Sequence, residues 1–177
     1  LGSAARHPLQ SLTVAVTIEE FRTKPRPKVV LTWAPHVRAL PQAVPNSFVE
    51  WMKTRDVELV VTHPPGAELA PQFVDNVRVE YDQQRAFEGA DFIYAKNWSS
   101  YTDYGQIISP KENWMVTPEK MALTNNARFM HCLPVRRNVV VADAVLDDPR
   151  CLIFEQAKNR EMAAQAVLEG LIKVDKS

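Results

Sequence analysis

The fold class is decided by the stretch Val29-Val30-Leu31-Thr32-Trp33, at residues 29–33, which is a short run of β-branched and aromatic residues. Four further apolar runs of this kind, each bounded by polar, Pro or Gly residues, lie at 57–61, 77–79, 92–95 and 128–130. Runs that are apolar without a break are typical of parallel strands buried on both faces. We therefore predict a parallel sheet of about five strands.

Segments with helical spacing separate these strands. The first is an apolar face made by Val44, Phe48, Trp51 and Met52. A second helix is predicted at 81–87, and Thr117-Pro118-Glu119 marks another helix start because Thr caps, Pro tolerates the first turn and Glu suits the positive end of the helix dipole. Strand and helix alternate, so we expect an α/β fold, a doubly wound (Rossmann-like) sheet with helices on both faces.

One apolar stripe lies near each end of the chain, outside this alternation. The residues of the first stripe are Leu9, Leu12 and Val16, and those of the second are Ala164, Val167, Leu168, Leu171 and Ile172. Each stripe must pack on something, either the sheet of this domain or a neighbouring domain. The sequence leaves both possibilities open.

Length, charge and cysteine content indicate which classes of protein this chain can belong to. The chain has 177 residues, 46% of them hydrophobic, which favours one domain spanning residues 1–177. With 21 basic and 21 acidic residues, it has no overall field to attract nucleic acid or anionic lipid. No apolar run is long enough to span a bilayer, no signal-like stretch opens the chain, and Cys132 and Cys151 are its only cysteines. We expect a cytoplasmic protein with reduced thiols.

Polar residues follow three of the predicted strands, where open α/β sheets bind their ligands. They are Ala34-Pro35-His36 after the first strand, Lys96-Asn97-Trp98 after the fourth, and the run from His131 to Asn138 after the fifth. His7-Pro8-Leu9-Gln10 opens the first helix. Imidazole, carboxamide, ammonium and guanidinium groups from these segments would suit a pocket for oxyanions and an amide-like group.

The pair of motifs His7-Pro8-Leu9-Gln10 and His131-Cys132-Leu133-Pro134 resembles the signature of the aspartate and ornithine transcarbamylase family. The likeness continues through Arg160 and covers nearly the whole chain. Within the family the sequence is most similar to the N-acylornithine branch, which includes the N-succinyl- and N-acetylornithine enzymes. Four segments carry that similarity: Thr32-Trp33-Ala34-Pro35-His36, Tyr94-Ala95-Lys96-Asn97-Trp98, Met121-Ala122-Leu123-Thr124-Asn125-Asn126, and the run His-Cys-Leu-Pro-Val-Arg-Arg-Asn from His131 to Asn138.

The resemblance implies transfer of a carbamoyl group from carbamoyl phosphate to the δ-amine of an N-acylornithine, in arginine biosynthesis, without a cofactor or metal. It implies four catalytic residues, His7, Gln10, Cys132 and Arg160. The same four residues, with Leu133, would bind carbamoyl phosphate. The acylornithine would be bound by His36, Lys96 and Arg136.

Lys96 supports the choice of branch on grounds of charge. Ordinary ornithine enzymes carry an aspartate at the comparable place, within an Asp-x-x-x-Ser-Met-Gly pattern, to pair with the α-ammonium of the substrate. This chain has Lys96 there, and no Ser-Met-Gly follows. A lysine would repel an α-ammonium, whereas acylation removes that charge. Free ornithine is therefore expected to be a poor substrate.

One family feature has no match in the sequence. Family members carry a Ser-x-Arg-Thr-Arg type loop that binds the phosphate of carbamoyl phosphate, are about twice as long and form homotrimers; this chain has 177 residues and no such loop. The resemblance implies that residues 1–177 are the second, amino-acid-binding domain, with terminal helices that would cross to the missing carbamoyl-phosphate-binding domain. We expect this chain to be inactive in isolation.

Other interpretations remain open at this stage. A non-catalytic module that binds an acyl amino acid and an ordinary ornithine carbamoyltransferase are both alternatives. Cys132 can be a packed thiol at the pocket edge, and Arg137 can be an exposed basic residue. His131 and Cys132 are adjacent and on an extended strand point to opposite faces, which argues against zinc. With 5 glycines and no Gly-x-Gly-x-x-Gly, a nicotinamide oxidoreductase is disfavoured.

Overall fold

The computed structural model describes residues 3, 5–103 and 105–174, which form an α/β fold around one sheet. The five strands are β1 Lys28–Trp33, β2 Glu58–Thr62, β3 Arg78–Glu80, β4 Phe92–Lys96 and β5 Arg128–Met130. They lie in the order β3-β2-β1-β4-β5, and every pairing is parallel. The predicted fold class and all five strands are confirmed, and no strand end differs from its prediction by more than one residue.

Seven helices are present in the described residues: α1 Pro8–Phe21, α2 Ala43–Met52, α3 Pro71–Val74, α4 Gln83–Phe87, α5 Pro118–Met121, α6 Asp143–Leu146 and α7 Ile153–Val174. Thr117 caps α5 as expected, since its side chain accepts a hydrogen bond from the backbone N–H of Lys120. The sequence did not predict α3 and α6, because a single turn is too short to show helical periodicity.

Alternate residues of the central strands build two hydrophobic cores, one on each face of the sheet. Leu31 and Trp33 face the same core as Phe48 of α2 and Val14 of α1. Val30, Val60 and Ile93 face the other core, with Phe87 and Val141. Strand β1 lies between β2 and β4, so the strand order changes direction beside β1. Sheets of this kind bind their ligands at that point.

Asp91 ties the amino-terminal ends of the strands together. Its carboxylate accepts hydrogen bonds from the backbone N–H of Lys28 at 2.7 Å and from Nδ2 of Asn125 at 2.9 Å. It also pairs with Nζ of Lys24 at 2.7 Å. Burial alone would raise the pKa of Asp91, but these donors hold it below its usual value. This carboxylate is a structural element at the end of the sheet opposite to the cavities described below.

The two terminal helices, α1 and α7, pack on each other. Nδ2 of Asn159 on α7 donates to Oγ1 of Thr17 and to Oε2 of Glu20 on α1. Helix α1 buries Val14, Ala15 and Ile18 in the core, whereas Leu168 and Leu171 of α7 stay exposed. Between the helices runs an apolar groove of about 180 Å³ lined by Pro8, Leu9, Leu12, Trp51, Ala164, Val167, Leu168 and Leu171. One part of the apolar surface thus packs within the domain, and the other part is solvent-exposed.

Over the described ranges, none of the helices combines the length and the apolar character needed to cross a bilayer.

Candidate active site

Two cavities lie side by side at the carboxyl ends of β1, β4 and β5. The larger has a volume of about 520 Å³ and is lined by His36, Arg38, Leu40, Lys96, Asn97, His131, Cys132, Leu133, Pro134, Arg136 and Val140. The smaller, of about 60 Å³, is lined by Gln10, His131, Cys132, Leu133, Ile153, Gln156, Ala157 and Arg160. The structure thus brings seven of the eight predicted site residues to adjoining cavities, and only His7 lines neither.

Hydrogen bonds between the strand ends explain why these loops converge. The backbone N–H of Ala34 donates to the carbonyl of Lys96 at 3.1 Å, and Nδ2 of Asn97 donates to the carbonyl of Ala34 at 2.8 Å. The indole N–H of Trp33 donates to the carbonyl of Trp98 at 2.9 Å. These bonds hold the segment after β4 against the segment after β1. Lys96 and His36, which both line the larger cavity, belong to these two joined segments.

The larger cavity is electropositive. Lys96, Arg38 and Arg136 line it, and its described lining includes no Asp or Glu. None of the ion pairs found in the described part of the chain uses these three cations. Their charges are therefore available to an anionic ligand, and a carboxylate is the simplest group that satisfies them.

His36 is held against the loop that carries Arg38. Its Nδ1 lies 3.1 Å from the backbone nitrogen of Arg38 and 3.2 Å from the Arg38 carbonyl oxygen. Partial burial lowers the pKa of His36, and the nearby charges of Arg136, Lys96 and Arg38 lower it further. The imidazole is therefore neutral near pH 7, and the positive charge of the cavity comes from lysine and arginine.

His131 contributes a second neutral imidazole, in the wall shared by the two cavities. Burial lowers the pKa of His131 to about 3, with smaller contributions from the charges of Lys96 and His36. Its Nδ1 contacts the backbone carbonyl of Cys132, so we assign the proton to Nδ1. His131 therefore forms part of the cavity wall without adding charge.

The smaller cavity brings together groups from α1, the loop after β5 and α7. Gln10 is 4% exposed, and Arg160 reaches the cavity from the first half of α7. Gln156, which the sequence analysis did not single out, lines the same cavity with its buried Oε1 unpaired in the described structure. The sequence offered one indication of this position. Gln156 lies four residues before Arg160, and residues four apart share one face of a helix.

His7 and the arginine pair occupy different surroundings. The backbone N–H of His7 donates to Oγ of Ser47 at 2.8 Å, and its Nδ1 is buried without a partner in the described residues. Its predicted catalytic role stays a prediction. Arg137 pairs with Asp143 at 2.8 Å and with Asp147 at 2.7 Å, whereas Arg136 lines the larger cavity. The structure thus places Arg136, the predicted binding residue, at the cavity, and it pairs Arg137, which the sequence allowed to be an exposed basic residue, with two carboxylates.

The described residues contain no group of three or more His, Cys, Asp or Glu side chains that would suit a metal ion. Cys132 and Cys151 are both free thiols.

Several known proteins are similar to this chain. N-succinylornithine carbamoyltransferase of Bacteroides thetaiotaomicron is 60% identical over 175 residues, which are 98% of this chain and 55% of the relative. N-acetylornithine carbamoyltransferase of Xanthomonas campestris is 33% identical over 187 residues, 94% of this chain and 55% of that protein. The chain thus spans about half the length of these relatives.

Solved structures give the same result. A variant of N-acetyl-L-ornithine transcarbamylase complexed with carbamyl phosphate and N-succinyl-L-norvaline matches with a TM-score of 0.85 and 34% identity over 94% of this chain and 56% of the solved one. Acetylornithine transcarbamylase complexed with acetylcitrulline matches with a TM-score of 0.82 and 32% identity over the same shares. Residues 41–171 match the family described as "Aspartate/ornithine carbamoyltransferase, Asp/Orn binding domain". This chain therefore belongs to the aspartate/ornithine carbamoyltransferase family.

Proposed function

We propose that this chain is the amino-acid-binding part of a carbamoyltransferase that acts on an N-acyl-L-ornithine. The reaction would convert carbamoyl phosphate and the acylornithine into N-acyl-L-citrulline and phosphate. The relatives described above carry N-succinyl- and N-acetylornithine carbamoyltransferase names, which supports this assignment. The proposal makes the larger cavity the acylornithine site and the smaller cavity the carbamoyl site.

The observation that carries the proposal is the absence of acidic residues in the described lining of the larger cavity, beside Lys96, Arg38 and Arg136. Free ornithine would bring an α-ammonium group to this place, where the described lining offers no carboxylate to pair with it. An N-acylornithine brings only its α-carboxylate, and with a succinyl group a second carboxylate. Like charges within a partly dehydrated site are unfavourable, so the cavity favours the acylated substrate.

The chemistry needs an uncharged δ-amine and a polarised carbonyl. The nitrogen lone pair attacks the carbonyl carbon of carbamoyl phosphate, and a tetrahedral oxyanion forms. The C–O bond to phosphate then breaks, and the attacking nitrogen loses a proton to the departing phosphate. In this proposal Arg160 and His7 donate to the developing oxyanion. Gln10 and the backbone at Leu133 accept from the carbamoyl NH2. Loss of one oxyanion donor of this kind costs about 3 kcal/mol of transition-state stabilisation.

The carboxylate-binding role is tested by titration calorimetry on this chain. N-acetylornithine, N-succinylornithine and ornithine are titrated separately, and the acylated compounds are expected to bind more tightly. Lys96→Met should weaken their binding, while Arg137→Ala, whose partners are Asp143 and Asp147, should leave it unchanged. Equal binding of ornithine would count against the acylornithine assignment.

Turnover is tested in a chimera in which this chain replaces the matching 55% of the Bacteroides thetaiotaomicron protein. Formation of N-acylcitrulline supports a carbamoyltransferase. Tight binding of an acylornithine without turnover in the chimera favours a non-catalytic binding module. Preference for free ornithine indicates an ordinary ornithine carbamoyltransferase.

The pathway, the cellular location and the assembly state are properties of the whole protein. We propose that it acts in arginine biosynthesis in the cytoplasm and assembles as a homotrimer. Light scattering on the chimera tests the assembly directly, since a trimer and a monomer differ threefold in mass. A monomeric and fully active chimera would contradict it.

A further inference from the structure

The hydroxyl of Tyr94 is a buried polar group beside the smaller cavity, and the residue roles proposed above do not use it. Tyr94 lies in β4 with its side chain fully buried, and its ring centroid is 4.9 Å from that of Phe48. The hydroxyl makes no hydrogen bond to any residue that the structure describes. A buried hydroxyl without a partner is unfavourable, and its presence calls for an explanation.

Two side chains of the smaller cavity lie close to this hydroxyl. Tyr94 pairs in the sheet with Met130, two residues before Cys132, and it shares a core with Val14, which lies one helical turn after Gln10 in α1. Burial raises the pKa of Tyr94 well above its ordinary value, the neighbouring Cys132 raises it further, and Gln10 lowers it. Gln10 and Cys132 both line the smaller cavity. The hydroxyl therefore lies behind the cavity wall, within reach of two of the groups that face the proposed carbamoyl site.

The two neighbours suit opposite sides of a phenol. A hydroxyl oxygen can accept a hydrogen bond from the NH2 of Gln10 while its own proton points to Sγ of Cys132. The carboxamide of Gln10 has an NH2 end and an oxygen end. If one end faces the phenol, the other can face the smaller cavity, which Gln10 lines. Those ends have the same shape and differ only in donating or accepting.

We propose that Tyr94 is a positioning residue that sets the orientation of the Gln10 carboxamide. With its NH2 turned toward the Tyr94 oxygen, Gln10 presents Oε1 to the smaller cavity. An oxygen at this place accepts a hydrogen bond from the NH2 of a carbamoyl group, whereas a methyl group cannot donate one. The inference rests on the proposed function and deepens it, because it names what selects carbamoyl over acetyl at this end of the donor.

The first test uses this chain and needs no turnover. The side-chain NH2 signals of Gln10 are observed by nitrogen-15 NMR and assigned by their loss in Gln10→Glu. In Tyr94→Phe, which keeps the ring and removes the hydroxyl, these signals should shift and exchange faster with water. Tyr81→Phe is the matched control, because Tyr81 is 54% exposed and lines neither cavity of the site. Gln10 signals that do not change in Tyr94→Phe overturn the proposal.

The second test uses the chimera and acetyl phosphate, which carries a methyl group where carbamoyl phosphate carries NH2. The parent chimera should prefer carbamoyl phosphate in kcat/KM. Tyr94→Phe should reduce that preference about tenfold, the effect of one lost hydrogen bond, because Gln10 is then free to turn. If Tyr94 had only a structural role, its substitution would lower kcat/KM for both carbamoyl phosphate and acetyl phosphate and leave the ratio of the two unchanged. An unchanged ratio in active Tyr94→Phe refutes the inference, whereas an inactive parent chimera counts against the proposed function and leaves the decision to NMR.

Discussion

His131 makes the fold sensitive to acid. Its side chain is almost fully buried, and burial lowers its pKa from 6.5 to about 3 in the folded protein. Between these two values the unfolded chain binds a proton that the folded chain does not bind. Stability therefore rises with pH across this interval. The stability that the neutral imidazole maintains is fully present above pH 6.5 and is lost as the pH falls toward 3.

The size of the effect follows from the pKa difference. Each pH unit between the two values corresponds to about 1.4 kcal/mol, so at pH 4.5 the penalty from His131 reaches about 3 kcal/mol. A domain of this size is stable by only about 5–15 kcal/mol. We expect His131 alone to remove a large part of that margin.

The assay is urea denaturation at about pH 7 and about pH 4.5, on the wild-type chain and on His131→Asn. Asparagine keeps a donor near the position of Nδ1 and cannot take up a proton in this range. The variant should lose about 3 kcal/mol less than the wild type on acidification, whatever its stability at neutral pH. Comparing the two chains cancels the titration of Asp, Glu and the other histidines.

His36→Asn serves as the control, since His36 is only partly buried and its pKa is lowered to a smaller extent. It should change the pH dependence less than His131→Asn does. If the wild type and His131→Asn lose stability in parallel, the imidazole takes up its proton at the same pH in the folded and the unfolded chain, and the neutral-wall assignment is wrong.

Three further predictions follow from the ion pairs and cations described above. Lys96→Met should weaken binding of N-acetylornithine by about 2 kcal/mol, roughly 30-fold, in titration calorimetry, because a charged hydrogen-bond donor to the carboxylate is lost; unchanged affinity would contradict the assignment. Arg136→Ala should also reduce this affinity, while Arg137→Ala should not, and equal effects would show that the pair has been ranked wrongly. Asp91→Ala should destabilise the chain by about 3 kcal/mol in urea denaturation, since it leaves the buried N–H of Lys28 and the amide of Asn125 unpaired; a change below about 1 kcal/mol would rule out a structural role.

The strands were predictable because their signal is local. Val29 to Trp33 forms a β-branched and aromatic run, and a buried parallel strand needs little more than that. The position of the site followed from topology, since polar residues after adjacent parallel strands meet at one edge of the sheet. The single-turn helices α3 and α6 escaped prediction because a single turn carries no period.

Other site residues could not be found from local pattern. Arg38 reaches the larger cavity only through the path of the loop after β1, which hydrogen bonds from Ser99 to Leu40 hold in place. In the sequence, Tyr94 looks like any other strand residue. Its position near Gln10 depends on the packing of α1 against the sheet. Such contacts join residues far apart in sequence, so they emerge only from the assembled fold.

In the proposed function, the cavity beside Lys96 selects an ornithine whose α-nitrogen is acylated. The most direct measurement is kcat/KM of the chimera for N-succinylornithine, N-acetylornithine and ornithine at saturating carbamoyl phosphate. At least one acylated substrate should exceed ornithine by about 100-fold, as expected when a like-charge contact of about 3 kcal/mol is avoided. Turnover of ornithine at an equal or higher rate would contradict the claim.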